Sequence, residues 1–118
     1  MKNLKCKVLV LGSTGMLGHQ VVNYLVNNSD YEIHDISYRS KLRINSIILD
    51  VTDKKLLFKT IIDLNPNYIV NCIGDLVEIN PNFERAIYLN SLLPHILKKI
   101  SKEVGAKLIH ISTDCVFS

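Results

Sequence analysis

Residues 6–22 read CKVLVLGSTGMLGHQVV, and the change of period inside this stretch decides the fold. Cys6 to Leu11 is a short, largely apolar run closed by glycine, the pattern of a strand buried on both faces. From Met16 the spacing changes. Leu17, Val21 and Leu25 recur every four residues, with Val22 and Val26 alongside, so an amphipathic helix is expected to run to about Asn27-Asn28. Between strand and helix lie glycines 12, 15 and 18. Gly12 permits a tight turn, Gly15 lets a pyrophosphate approach the backbone, and Gly18 lets the helix pack closely. The N–H groups and positive dipole end of the helix would then face phosphates, with Ser13 and Thr14 as added hydroxyl donors and Met16-Leu17 opening the helix. The spacing is G-x-x-G-x-x-G rather than G-x-G-x-x-G; its placement between a strand and a helix carries the signal.

Outward from this unit the alternation continues. Strands are expected over Tyr31–Ser37, Ser46–Leu49, Tyr68–Cys72 and Lys107–Ser112. A second helix, capped by Thr52 or Asp53, presents Leu57, Ile61 and Leu64 on one face and stops at Asn65-Pro66. A third spans Phe83–Glu103 before Gly105, with Ala86, Ile87, Asn90, Leu93, Leu97 and Ile100 inward and a kink at Pro94. Strands alternating with helices imply an α/β, Rossmann-like doubly wound parallel sheet. The expected strand order is 3-2-1-4-5, with a ligand crevice where the order reverses between strands 1 and 4.

The 118 residues suffice for one domain, and 47% hydrophobic against 21% charged residues suits a soluble globular protein. A net charge of +3, spread over dispersed lysines and arginines, gives no basic track for nucleic acid. Cys6, Cys72 and Cys115 form no C-x-x-C pair, which points away from a disulfide framework and towards free thiols in a reducing compartment. His19, His34, His95 and His110 are not at metal-ligand spacing, and His110 is read as a packing residue. Val8–Leu11 is too short for an export signal and no run approaches a membrane span, so a cytoplasmic protein is expected.

The nicotinamide cofactor is left open. Asp35, 17 residues after Gly18, could take the ribose 2′-hydroxyl of NAD; if Ile36-Ser37 carries the strand further, Arg39 at its tip could take the 2′-phosphate of NADP. The balance leans to NADP, with solvent-exposed roles for both residues as the alternative.

GSTGMLG, Asp50-Val51 after strand 3, VNCIG (70–74), Asn90 and HISTDCVF (110–117) occur in that order. Together they resemble the extended short-chain dehydrogenases/reductases, in particular the dTDP-4-dehydrorhamnose reductase branch, which reduces a 4-keto group on a nucleotide-linked deoxysugar. The resemblance implies that Asp50 hydrogen-bonds the adenine amino group and Val51 packs on the adenine; helix capping is the alternative duty of Asp50. It implies that Cys72, Ile73 and Gly74 line the cofactor, Cys72 as a small packing residue rather than a nucleophile. Ser112 and Thr113 would sit at the catalytic centre, Thr113 bonding the reacting sugar oxygen beside a Tyr-x-x-x-Lys pair. Asp114 is either a substrate contact or an Asx-turn residue, and Asn90 a buried polar residue bonded to backbone. No Tyr-x-x-x-Lys occurs within the 118 residues. The expectation is therefore the amino-terminal, NAD(P)-binding part of a nucleotide-sugar oxidoreductase, inactive alone. A dinucleotide-binding regulatory module, or an epimerase or dehydratase, is the alternative. An apolar patch near Ile109 and Ile111, with self-association, is expected as well.

Overall fold

The computed structural model describes residues 5–73 and 83–111, the side chains of Phe83 and Ala86 excepted. In chain order the elements are β1 (Lys7–Leu11), α1 (Met16–Asn28), β2 (Glu32–Ser37), β3 (Ile47–Ile48), α2 (Lys54–Leu64) and β4 (Tyr68–Asn71), then α3 (Phe83–Ile87), a π-helical turn (Tyr88–Leu92), α4 (Leu93–Val104) and β5 (Lys107–His110). The strands pair in parallel in the order β3-β2-β1-β4-β5, as expected. The break in sequential order between β1 and β4 opens a crevice at the carboxyl ends of the strands.

Strand β1 is central, and alternation along it sends side chains into two cores. Leu9 and Leu11 join Ile36, Ile69, Leu57, Ile61, Leu93 and Leu97 beneath α2 and α4. Val8 and Val10 join Ile33, Val70 and Val22 beneath α1. This second core is the smaller one. Gly18 and Val22 form the buried line of α1, Leu17, Val21 and Leu25 flank it half-buried, and Val26 is exposed.

Helix α2 begins where Asp53 accepts a hydrogen bond from the Leu56 N–H at 3.1 Å, satisfying one of the unpaired donors of its first turn. It ends at Asn65, which takes a left-handed conformation (φ 52°) before Pro66.

The long third helix differs from its expected form. Its irregularity comes just before Pro94: in the π turn, the Leu93 N–H bonds the Tyr88 carbonyl five residues back, and Pro94 falls in the first turn of α4. There the missing proline N–H costs little. The wider turn shifts the face of α3 relative to α4. Leu93, Leu97 and Ile100 are buried as expected, but Ile87 and Asn90 are exposed and Leu89 takes the inward place. The ordered strands are also shorter than expected, β4 ending at Asn71 and β5 at His110. His110 is exposed rather than packed, with Nδ1 3.2 Å from Asn71 Nδ2.

Candidate functional site

The loop after β1 is held from below. The N–H groups of Gly12 and Ser13 both donate to the Ile36 carbonyl, at 2.9 and 3.2 Å, and Gly15 N–H donates to the Gly12 carbonyl at 3.1 Å. Gly12 has φ +84°, and a Cβ there would lie 2.9 Å from Ile73 Cγ1 and 3.2 Å from Cys72 backbone, so conformation and space both require glycine. At Gly18 a Cβ would fall 1.9 Å from the Gly12 carbonyl oxygen: the first turn of α1 rests directly on the loop backbone. Gly15 is different. Its Cβ would make only an ordinary 3.4 Å contact, so nothing in the folded chain forbids a side chain at this exposed position.

Gly15 is the N-cap of α1, which has no side-chain capping bond and no acidic residue in its first turn. Helix α2, by contrast, is capped by Asp53. An uncapped helix start at the carboxyl end of a parallel sheet leaves backbone donors and the positive dipole end for an anion.

A crevice of about 210 Å³ begins there, lined by Gly12, Thr14 and Gly15 on the loop and by Val51, Cys72 and Ile73 from β3 and β4 onward. Tyr38, Leu49, Arg85 and Leu89 also line it; the sequence reading did not single them out for the site. Val51 is buried, and its carbonyl accepts a hydrogen bond from the Tyr88 hydroxyl at 3.0 Å, tying the π turn to the end of β3. Asp50, next to Val51, bonds the crevice-lining Arg85. Its Oδ1 accepts from Thr52 N–H (3.0 Å), Thr52 Oγ1 (2.8 Å) and Arg85 Nη1 (3.0 Å). Desolvation alone would raise its pKa, but the Thr52 and Arg85 contacts outweigh that and hold the carboxyl below its usual range.

Asp35 does not reach the crevice rim. It is fully buried; Arg43 Nε and Nη2 donate to its Oδ1 at 2.9 and 2.7 Å, and Ser46 Oγ donates to Oδ2. Burial pushes its pKa up, yet hydrogen bonds from Ser13, Ser46 and Arg43 bring it below the ordinary value. Because β2 continues to Ser37, the strand tip is Tyr38-Arg39, and Arg39 is exposed with its guanidinium 5.0 Å from the Tyr38 ring centroid. Asp35 therefore holds the β2–β3 connection and is not a ribose acceptor in this structure. Ser13 is buried too, its hydroxyl shared between Asp35 and the Ile36 carbonyl, 3.4 Å away, so that hydroxyl serves the loop and β2.

Sequence comparison adds to this geometry: residues 6–118 match the family described as RmlD substrate binding domain. The chain belongs to that family. A relative of this RmlD-type chain, the methionine adenosyltransferase 2 subunit beta of Xenopus laevis, is 33% identical over 94% of the chain and 33% of its own length. The dTDP-4-dehydrorhamnose reductase of Shigella flexneri is 30% identical over 93% of the chain and 36% of its own length. The RmlD-type chain thus spans about a third of the length of these relatives. Among solved structures, the Bordetella bronchiseptica enzyme WbmG in complex with NAD and UDP superposes with a TM-score of 0.73 at 18% identity, over 87% of this chain and 36% of that one; the likeness is one of fold.

Within the RmlD-type crevice, Cys72 is half-buried and burial pushes its thiol up to about 11, the opposite of an activated nucleophile. Met16 is exposed and Leu17 half-buried at the start of α1. Gly74, Ser112 and Thr113 lie outside the described residues. Among the described residues no group of His, Cys, Asp or Glu could hold a metal ion, and no helix is long and apolar enough to cross a membrane. Arg85 escaped the sequence reading because its partner, Asp50, is 35 residues away and no local pattern links them.

Proposed function

We propose that this chain is the NAD(P)-binding part of a nucleotide-sugar oxidoreductase whose parent protein reduces a 4-keto sugar. The observation that carries the reading is the uncapped start of α1 beside Gly15, where space is open, facing an apolar wall that includes Val51. Such a site suits a dinucleotide, with pyrophosphate on the helix start and adenine against the wall. The name of the Shigella relative supports the 4-keto sugar, and the NAD and UDP of the WbmG complex support a nicotinamide cofactor with a nucleotide-linked substrate.

In this reading Gly12 to Leu17 hold the pyrophosphate, Asp50 accepts the adenine amino group, and Val51 packs on the ring. Cys72, Ile73 and Gly74 flank the ribose and nicotinamide. The cofactor supplies a hydride when bound. Thr113, assisted by Ser112, donates a hydrogen bond to the sugar oxygen on which negative charge develops, stabilising that charge more than the ground state. The engaged state of Asp35 and the arginine at the tip of β2 support NADP over NAD. A cytoplasmic location and self-association belong to the same reading.

A second reading has its own support: a non-catalytic, dinucleotide-binding regulatory module, since the Xenopus relative is named as a subunit. The gene beyond Ser118 separates the two. A tyrosine followed four residues later by lysine supports the reductase, whereas a reading frame closing there supports the module.

A further inference from the structure

Arg85 reaches the crevice from α3, far from the loop that follows β2. Its Nη1 lies 3.0 Å from Asp50 Oδ1, beyond β3, and its guanidinium carbon stacks 4.1 Å from the centroid of the Tyr38 ring, beyond β2. Its side chain is 20% exposed, so the contact faces the crevice rather than open solvent. Arg39 approaches the same ring at 5.0 Å. Two guanidiniums thus converge on one aromatic ring at the tip of β2. Asp50 offsets the charge of one of them, while the Asp35 carboxylate that could repel a phosphate is buried against Arg43.

We infer that Arg85 is a specificity-determining residue, its guanidinium receiving the 2′-phosphate of the adenosine ribose in NADP. The inference rests on the dinucleotide reading above and deepens it. The adenosine ribose of a dinucleotide in such a fold lies over the tip of β2, which is where Tyr38 and the two arginines meet. A planar guanidinium matches a phosphate through paired, charge-assisted hydrogen bonds and can stack on an aromatic face at the same time. The Asp50 and Tyr38 contacts already hold the long side chain over the crevice, so less rotamer freedom is lost on binding. Among the described residues Arg39, exposed on the loop, pairs with no carboxylate; it adds charge while Arg85 supplies geometry.

Calorimetry on the full chain with NADP⁺ and NAD⁺ tests this. Arg85→Gln should weaken NADP⁺ on the order of 10- to 100-fold, as loss of a charge-assisted phosphate contact implies, and change NAD⁺ less than about threefold. Arg85→Lys, which keeps the charge but loses the planar fork, should fall between. Equal weakening of both cofactors would mean that Arg85 only braces Asp50 and Tyr38, and unchanged NADP⁺ binding would mean it has no part; either overturns the inference. A measurement on the unaltered chain guards against a variant that does not fold. The Arg85 Nε–H resonance should shift on titration with 2′-AMP and not with 5′-AMP, and the absence of that difference also overturns it. If the unaltered chain binds neither dinucleotide, the dinucleotide reading falls along with Arg85's role. If it binds both and Arg85→Gln leaves the ratio alone, only the role of Arg85 falls.

Discussion

Gly15 and Gly18 differ in what a side chain would meet, and that difference makes them separable probes. Gly18→Ala drives a Cβ into the Gly12 carbonyl oxygen at 1.9 Å, so the loop or the helix start must shift. A loss of about 2–4 kcal/mol in urea unfolding is expected, in the range of overpacking and forced backbone movement. Gly15→Val meets only a 3.4 Å contact. It should leave the unfolding free energy within about 1 kcal/mol of the parent while abolishing dinucleotide binding, because the new side chain occupies the pyrophosphate's approach. Asp35 supplies a pH test. Its folded pKa is depressed, so its contribution is present above its ordinary value of 3.8 and is lost as pH falls through the lower folded value. Stability should decline from about pH 5 downwards, and Asp35→Asn should flatten that decline while costing about 2–4 kcal/mol near neutrality by stranding Arg43. An unaltered acid limb in Asp35→Asn would contradict the assignment.

At the level of elements, helices α1 and α2 divide labour by their first residues. Helix α2 is closed by the Asp53 cap, and α1 has none. Asp53→Ala should therefore cost about 1 kcal/mol in thermal unfolding and leave cofactor affinity unchanged. The β1–loop–α1 unit was legible in the sequence because its signals are local: a both-faces apolar strand, spaced glycines and a four-residue period. The parallel sheet followed from alternation, and its strand order from the glycine loop that marks a dinucleotide-binding fold. Less local features were not legible. Asp35 sits at an interval that suits a ribose acceptor, but its side chain is taken by Arg43 and Ser46 in the next connection, a pairing no period announces. The inward face of the third helix departs from the periodicity at Ile87 and Asn90 because one π turn changes the angular step between α3 and α4. Pro94 hinted at a disturbance; it could not say that the wider turn lies upstream.

Across the whole molecule, among the described residues, the two faces of the sheet are unequally covered. The side bearing α2 and α4 holds a continuous core, whereas on the α1 side Val70 leads outward to Ile109, which is 41% exposed, and to half-buried Ile111. An apolar edge of this kind favours association between copies. Light scattering should show concentration-dependent self-association, reduced by Ile109→Lys without loss of folding; a strictly monomeric chain at high concentration would contradict this.

The crevice beginning at Gly12–Gly15 is proposed to bind a nicotinamide dinucleotide. Isothermal titration of the chain with NADP(H) and NAD(H), alongside Gly15→Val, tests it most directly. Weak but saturable binding is expected, tighter for NADP(H), that vanishes in the folded Gly15→Val variant. Absence of heat with either dinucleotide at millimolar concentration, or binding that Gly15→Val leaves intact, would contradict it.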